Sequence, residues 1–291
     1  MEGISVLAYA KINMFLDIVR KRKDNYHNIL SYMQTISLCD ELTITRNTCN
    51  KINIFCDNPM IPTGKGNLAY KAAEKFFEYS GDFFGVDIDI KKKIPTEAGL
   101  GGGSSDAASV LLALNRISGK KLDEAQLCYI GAQIGSDVPF CIVGRAKVVS
   151  GMGEIVDNTH SVPRAVVLVV CPNEKMSTVQ AYKDLDERYN NFVNYKLNTE
   201  KFDILLKGTT DKDLNVIVQG MFNIFESIVC EKIPSINNIK KTMINKGALN
   251  AMMTGSGTAV FGIFENEEDA KSAKLEFEND NIFTEICYTI I

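Results

Sequence analysis

The sequence predicts an α+β protein folded as two lobes, and three observations carry that expectation. The chain has 291 residues, more than one simple hydrophobic core usually organises, so two domains are expected. Stretches that alternate with period two give way, from Asn67 and again after residue 95, to stretches of helical period. Near the end, strand, strand, helix and strand signals follow one another after earlier helices, which suits a sheet packed against helices.

Residues 4–19, ISVLAYAKINMFLDIV, read as one or two strands rich in β-branched and aromatic side chains. Alternation puts Tyr9, Lys11 and Asn13 on one face and Ala10, Ile12 and Met14 on the other. A lysine in so apolar a strand needs a partner or water. The ordinary alternative is an edge-strand lysine that reaches solvent. Residues 20–28 form a basic turn. Its adjacent Tyr26 and His27 offer a stacking ring and a hydrogen-bonding imidazole, which suit a nucleobase as well as a solvated loop.

Strands are expected at 29–38, 41–46 and 51–56. A helix then starts at its N-cap Asn67 and stops at Gly81, with Ala69, Ala72, Ala73, Phe76 and Phe77 on one face. Val86, Ile88 and Ile90 alternate with charged residues, a half-buried strand that feeds PTEAGLGGGSSDAAS, residues 95–109. Gly99, Gly101, Gly102 and Gly103 let the backbone come close to a ligand with its N–H groups turned inward. Behind them a helix capped by Ser104, Ser105 or Asp106 runs to Gly119, and its first-turn amides sit at the positive end of the dipole. Such a loop receives a phosphate. It is not a Walker loop, since no Gly-Lys-Ser/Thr run exists, and it breaks G-x-G-x-x-G because Gly99 and Gly101 are followed by Ser104.

A second helix is expected at 123–134. In GSDVPF, residues 135–140, Asp137 lies between a glycine and Pro139, where an aspartate is commonly a turn or cap residue. Read together with Lys11 it gains weight, because a lysine and a carboxylate are what alcohol phosphorylation uses. A domain boundary is expected after 151–163, dividing the chain into residues 1–155 and 156–291. Beyond it come a continuous apolar strand at 165–171, a helix capped by Ser177 and a polar connector at 186–198. Helices at 213–230 and 235–246 precede a strand, glycine turn and strand at 251–264, a charged helix at 266–279 and a last strand at 283–290. The turn at 254–258 reads equally as an ordinary hairpin or as a cleft-facing element.

Composition excludes several classes. With 45% hydrophobic and 23% charged residues, a formal charge of −4 and a pI near 5.4, the chain lacks the basic face that broad nucleic-acid binding requires. Eight cysteines without a C-x-x-C pair, and only two histidines, His27 and His160, give no zinc spacing. They read as reduced thiols of a cytoplasmic protein. No run of eighteen apolar residues and no secretory leader is recognisable, so a soluble, unprocessed protein with no membrane partner is expected.

Three separated stretches, AYAKINMFLDI, PTEAGLGGGSSDAAS and MMTGSGTAVFGIF, resemble the three motifs of the GHMP small-molecule kinases. The A-K-I-N opening, the Tyr26-His27 pair and GSDVPF narrow the likeness within that family. The resemblance implies a two-lobed GHMP kinase fold. Its N-terminal, ATP-binding lobe resembles domain 2 of ribosomal protein S5, its C-terminal, substrate-binding lobe is ferredoxin-like, and the active site lies in the interlobe cleft. It also implies transfer of a phosphoryl group from ATP, with Mg²⁺, to the 2-hydroxyl of 4-diphosphocytidyl-2-C-methyl-D-erythritol. Lys11 would orient that hydroxyl and Asp137 would take its proton. Pro95, Thr96, Glu97, Ala98, Gly99, Leu100, Gly101, Gly102, Gly103, Ser104 and Ser105 would wrap the ATP phosphates, with Asn67 near the adenine. Tyr26 and Tyr182 would sandwich the cytosine, His27 would hydrogen-bond it, and Asn13 and Thr178 would reach the diphosphate or erythritol part. Three residues depart from many relatives. Glu97 replaces a small residue and has to face solvent or a metal, Asp106 stands where some have asparagine, and Tyr182 replaces a phenylalanine while keeping its stacking face. The rivals are a homoserine or mevalonate-pathway kinase of the same family, and a non-catalytic RNA-binding module, since the N-terminal fold is related to a ribosomal-protein domain.

Overall fold

The structure, a computed structural model, describes residues 3–278 and 282–291. The chain packs as two compact units that interleave along the sequence. The first comprises Met1–Ala10, Cys39–Ile94 and Gly101–Gly144, the second Lys11–Leu38, Pro95–Leu100 and Arg145–Ile291. Two long paired strands, β1 (Gly3–Lys21) and β2 (His27–Asn47), each contribute to both units. The strands expected separately at 29–38 and 41–46 are one, since backbone pairing continues through Cys39 and Asp40.

In the first unit, β3 (Ile52–Cys56) precedes α1 (Leu68–Ser80) and β4 (Gly85–Lys91). Strand β4 pairs antiparallel with the second half of β2, Glu41 opposite Lys91 and Asn47 opposite Gly85, and parallel with β3. Helix α1 obeys its sequence signals closely. The Asn67 side chain accepts from the Ala69 amide, Gly81 closes the helix in the left-handed conformation, and Ala69, Ala72, Ala73, Phe76 and Phe77 form its buried face. Helices α2 (Gly102–Ser118), α3 (Glu124–Ala132) and α4 (Val138–Val143) complete the unit. Val86, Ile88 and Ile90 of β4 join the buried faces of α1 and α2 in one apolar core.

The second unit holds β5 (Ala146–Ser150), which pairs with the first half of β2, and β6 (Ile155–Asn158), which pairs with β5. After them run β7 (Val166–Cys171), α5 (Thr178–Arg188), α6 (Thr199–Asp211) and α7 (Leu214–Gln219). Next come β8 (Phe222–Asn223), α8 (Glu226–Lys232) and α9 (Ser235–Asn245). The chain finishes with β9 (Asn250–Met253), β10 (Val260–Phe264), α10 (Glu267–Leu275) and β11 (Phe283–Tyr288). A four-stranded antiparallel sheet has the order β11-β7-β10-β9. Every residue of β7 is buried, as its unbroken apolar run requires. Ile236, Ile239 and Met243 of α9 and Ala270 and Ala273 of α10 pack with Leu168, Val170, Val260 and Phe264 of that sheet.

Three expectations need correction. The helix after the glycine loop starts at Gly102, and its N-cap is Gly101 at φ 73°, with no side-chain cap bond; Ser104, Ser105 and Asp106 lie inside the helix. The stretch 213–230 is not one helix. Helix α7 ends at Gly220, and the next residues enter β8, where Phe222 pairs with Phe15 of β1. Helix α6, ended by Lys212 in a left-handed conformation rather than by glycine, carries no conventional stop signal and was not expected. Residue 279, the end of the expected charged helix, lies outside the described residues.

Candidate active site

The glycine loop is tied down through its carbonyls. Thr96 O accepts from Lys175 Nζ at 2.9 Å, Ala98 O from the Ala259 amide at 3.1 Å and Leu100 O from the Lys11 amide at 3.0 Å, while Gly99 O accepts from the Thr254 hydroxyl at 3.4 Å. Among the described residues, no N–H from Gly99 to Ser104 donates to a protein acceptor. The carbonyls are spent on anchoring and the amides are kept, which is what an anion cradle needs. Gly99 is required twice over. Its φ is +80°, and a Cβ there would lie 2.2 Å from Thr254 O. Gly102 and Gly103 weaken the start of α2 by propensity, yet a Cβ on Gly102 would meet Ile94 at 3.0 Å. Glu97 is exposed at φ 55°, so its carboxylate faces solvent. Ser105 donates its hydroxyl to Tyr9 O at 2.7 Å, holding α2 to β1 rather than capping it.

Lys11 is only 4% exposed, so it is not an edge-strand lysine reaching water. Its Nζ donates to Asn13 Oδ1 at 2.7 Å. Asn13 is itself buried and donates from Nδ2 to the Ser31 hydroxyl at 2.9 Å, and its backbone N–H donates to Thr254 Oγ1 at 3.0 Å. The amide therefore orients the lysine head, a role the strand pattern did not reveal, and Ser31 and Thr254 fix the amide. Asp137 occupies the N-cap position of α4, and its side chain makes no capping hydrogen bond to that helix. Asn67, in contrast, uses its side chain inside the fold, accepting from the Ala69 amide and donating to Pro62 O at 2.8 Å each.

Around the basic turn, Tyr26 is 64% exposed whereas His27 is buried at 7%. The His27 ring stacks on Tyr182, with centroids 4.8 Å apart and planes at 27°, and meets Phe192 edge-on at 5.7 Å. Its Nε2 lies 2.7 Å from Asp186 Oδ1, and Lys21 Nζ lies 2.8 Å from Asp186 Oδ2. Tyr182 and Asp186 are one turn apart on α5, so both address the same imidazole. Thr178 is exposed and shares a 2.8 Å hydrogen bond with Ser256 in the turn at 254–258. That turn is not an ordinary hairpin loop. Asn223 Nδ2 holds it through Met253 O at 2.7 Å and Gly255 O at 2.9 Å, and Gly255 comes within contact of Gly99.

Residues 67–145 match the family of GHMP kinases N terminal domains, and residues 205–281 match that of GHMP kinases C terminal. A 4-diphosphocytidyl-2-C-methyl-D-erythritol kinase of Acetivibrio thermocellus is 42% identical over 270 residues, covering 93% of this chain and 93% of that protein. The chain belongs to the GHMP kinase family. A protein of the same description from Geobacter metallireducens is 36% identical over 97% of this chain and 96% of its own length. Among solved structures, a 4-(cytidine 5′-diphospho)-2C-methyl-D-erythritol kinase superposes with a TM-score of 0.81 at 28% identity, covering 98% of this chain and 99% of that one. A homoserine kinase from Cytophaga hutchinsonii shares the fold, with a TM-score of 0.76 at 19% identity. As a GHMP kinase the protein has the two-lobed α+β fold expected from its motifs and is an ATP-dependent small-molecule kinase.

The kinase also carries a buried ionic cluster that no sequence spacing announced. Lys92 Nζ pairs with Asp40 and, at 2.8 Å, with Asp106 of α2. Asp40 Oδ1 accepts from the amides of Lys93 at 2.6 Å and Ile94 at 2.8 Å, immediately before Pro95. The cluster thus joins the entry of the glycine loop to the helix that follows it. Burial pushes the Asp106 carboxyl up to about 7 against the pull of Lys92, and its Oδ1 is buried without a hydrogen-bond partner.

Two predictions follow from these contacts. Gly99→Ala should raise the KM for ATP by roughly tenfold or more, since strain of about 1–2 kcal/mol at positive φ adds to the overlap with Thr254; unchanged ATP kinetics would show that the loop tolerates the methyl group. For Asp106, between its ordinary 3.8 and about 7 only the folded chain holds the proton. Stability is therefore lost as pH rises through that window. An Asp106→Asn variant should accordingly melt higher than the wild type at pH 8 by roughly 2–4 °C for each kcal/mol relieved, and the gain should shrink at pH 4. Equal gains at both values would assign the effect to packing.

Proposed function

We propose that the kinase transfers the γ-phosphoryl group of ATP to the 2-hydroxyl of 4-diphosphocytidyl-2-C-methyl-D-erythritol, a step of the non-mevalonate route to isoprenoid precursors. The observation that supports this most directly is the 42% identity to a protein of that activity across 93% of both chains. The Lys11–Asn13 pair, the place of Asp137 at the start of α4, and the stack of His27 on Tyr182 next to exposed Tyr26 fit the roles such a reaction needs.

Phosphoryl transfer passes through a loose transition state with little covalent chemistry, so positioning and charge stabilisation carry the rate. In the proposed mechanism, Asp137 accepts the proton of the 2-hydroxyl as that oxygen attacks phosphorus. Lys11, aimed by Asn13, orients the hydroxyl and stabilises negative charge. The amides from Gly99 to Ser104 hold the phosphates at the N-terminus of α2, aided by the helix dipole. Asn13, engaged with Lys11 and Ser31, reaches the substrate through the lysine it aims. Thr178 would meet the diphosphate beside Ser256. One face of Tyr182 is already against His27, so the cytosine would use its remaining surface, with the exposed Tyr26 closing from the other side.

No group of three or more His, Cys, Asp or Glu side chains able to hold a metal occurs among the described residues. Mg²⁺ would arrive on ATP, since this ion takes most of its ligands from phosphate oxygens and water and few from protein. The hydroxyl of Ser104, in the first turn of α2, would be a ligand the chain itself could offer. When bound, Mg²⁺ supplies charge neutralisation along the phosphates. No helix among the described residues is long and apolar enough to cross a membrane; the proposed site of action is the cytoplasm.

ADP formation measured with the cytidine substrate, homoserine and mevalonate decides among the readings within the family. The cytidine compound should be preferred by orders of magnitude, and preference for either other alcohol would sink the proposal. Asp137→Asn should lower kcat by roughly 10²–10⁴ while the KM for ATP moves little. Retained turnover would remove Asp137 from the chemistry.

A further inference from the structure

An ordinary surface lysine extends its head into water, but exposed Lys175 turns back onto the glycine loop and donates from Nζ to Thr96 O at 2.9 Å. Among the described residues it makes no ion pair with a carboxylate. An ammonium carries three donors, so one hydrogen bond to a neutral carbonyl leaves two N–H groups and the positive charge uncompensated. The main chain that bears this side chain is fixed. Thr258 donates its hydroxyl to Glu174 O at 2.9 Å, and Thr178 shares a 2.8 Å hydrogen bond with Ser256, so the turn at 254–258 fastens the segment on both sides of Lys175. The same turn meets the glycine loop at Gly99, whose carbonyl accepts from Thr254. A flexible four-carbon stem therefore stands on backbone that is tied to the turn on which Gly99 rests.

We infer that Lys175 is a binding residue of the ATP site, whose ammonium gives a further N–H to a phosphate oxygen of the nucleotide held by the glycine loop. The inference rests on the reading that the unused amides of that loop hold the phosphates. Within residues 95–105 the single charged side chain is Glu97, and a carboxylate beside an anion site opposes binding. Backbone amides and the helix dipole answer it with partial charges only. Lys175, bonded to the residue next to Glu97, supplies a full positive charge. It differs in this from Lys11, which is buried and aimed by Asn13.

The test is calorimetric titration of the full-length protein with ATP and Mg²⁺, and separately with adenosine, in the absence of an acceptor alcohol. Its outcome then does not depend on which alcohol the kinase phosphorylates. Lys175→Gln keeps an N–H group for Thr96 O and removes the charge. It should bind ATP roughly 5- to 20-fold more weakly than the wild type, the low end for a charge-assisted contact because the group is exposed, while the affinity for adenosine stays the same. The gap should close as NaCl rises from about 0.1 M to about 1 M, where the screening length falls from about 10 Å to about 3 Å. A merely structural role, in which Lys175 only braces Thr96, predicts that Lys175→Gln binds ATP like the wild type, and that result overturns the inference. Equal weakening of ATP and adenosine overturns it too, as does a gap that persists at high salt, or a variant whose only defect is a raised KM for the acceptor alcohol. If the wild type binds ATP no more tightly than adenosine, the phosphate reading of the loop falls and the inference with it. If the wild type prefers ATP and the variant prefers it as strongly, the role of Lys175 alone falls.

Discussion

The site depends on two bare backbones passing each other. A methyl group on Gly99 would lie 2.2 Å from Thr254 O, and one on Gly255 would lie 3.1 Å from Gly99 Cα and O, while the Thr254 hydroxyl binds both Gly99 O and the amide of Asn13. One threonine therefore sets the glycine loop and the lysine-bearing strand in register. Because the loop is fastened by its carbonyls, its amides remain directed at whatever the loop encloses. An anion bound there meets donors already oriented, so little reorganisation is left for the moment of binding.

Around this centre the charged groups work by aiming one another. Asn13 aims Lys11, Asp186 aims His27, and Lys92 spans Asp40 and Asp106 to hold the loop entry against α2. Each arrangement removes side-chain freedom before a ligand arrives. Buried ionic groups cost desolvation energy, and the raised Asp106 carboxyl shows that cost locally. What the cluster contributes in return is a set of ties between β2, the residues just before Pro95 and α2.

Much of this was legible in the residues. The limits and buried face of α1 followed from Asn67, Gly81 and apolar spacing, and the left-handed backbone at residues 99 and 101 followed from their being glycines. The start of α2 was misplaced because Ser104, Ser105 and Asp106 imitate a cap, while the actual cap, Gly101, works through a left-handed backbone with no side chain to read. Helix α6 was missed because Lys212 takes the left-handed stop position normally given to glycine. Within the site, Lys11 and the 26–27 pair stood out as polar residues in unexpected company. Their partners did not: Asp40 lies 52 residues from Lys92 and Asp186 159 from His27, and no periodicity links positions that only the tertiary fold brings together.

The interleaving of the two units has an outcome for how such a protein can change over time. Strands β1 and β2 each hand their first and second halves to different units, and the loop 95–100 leaves one unit to serve the other. The chain therefore passes between units several times, and no single cut yields two self-sufficient pieces. A gene fusion that transplanted only the residues after β6 would leave β8 without β1, the strand it pairs with.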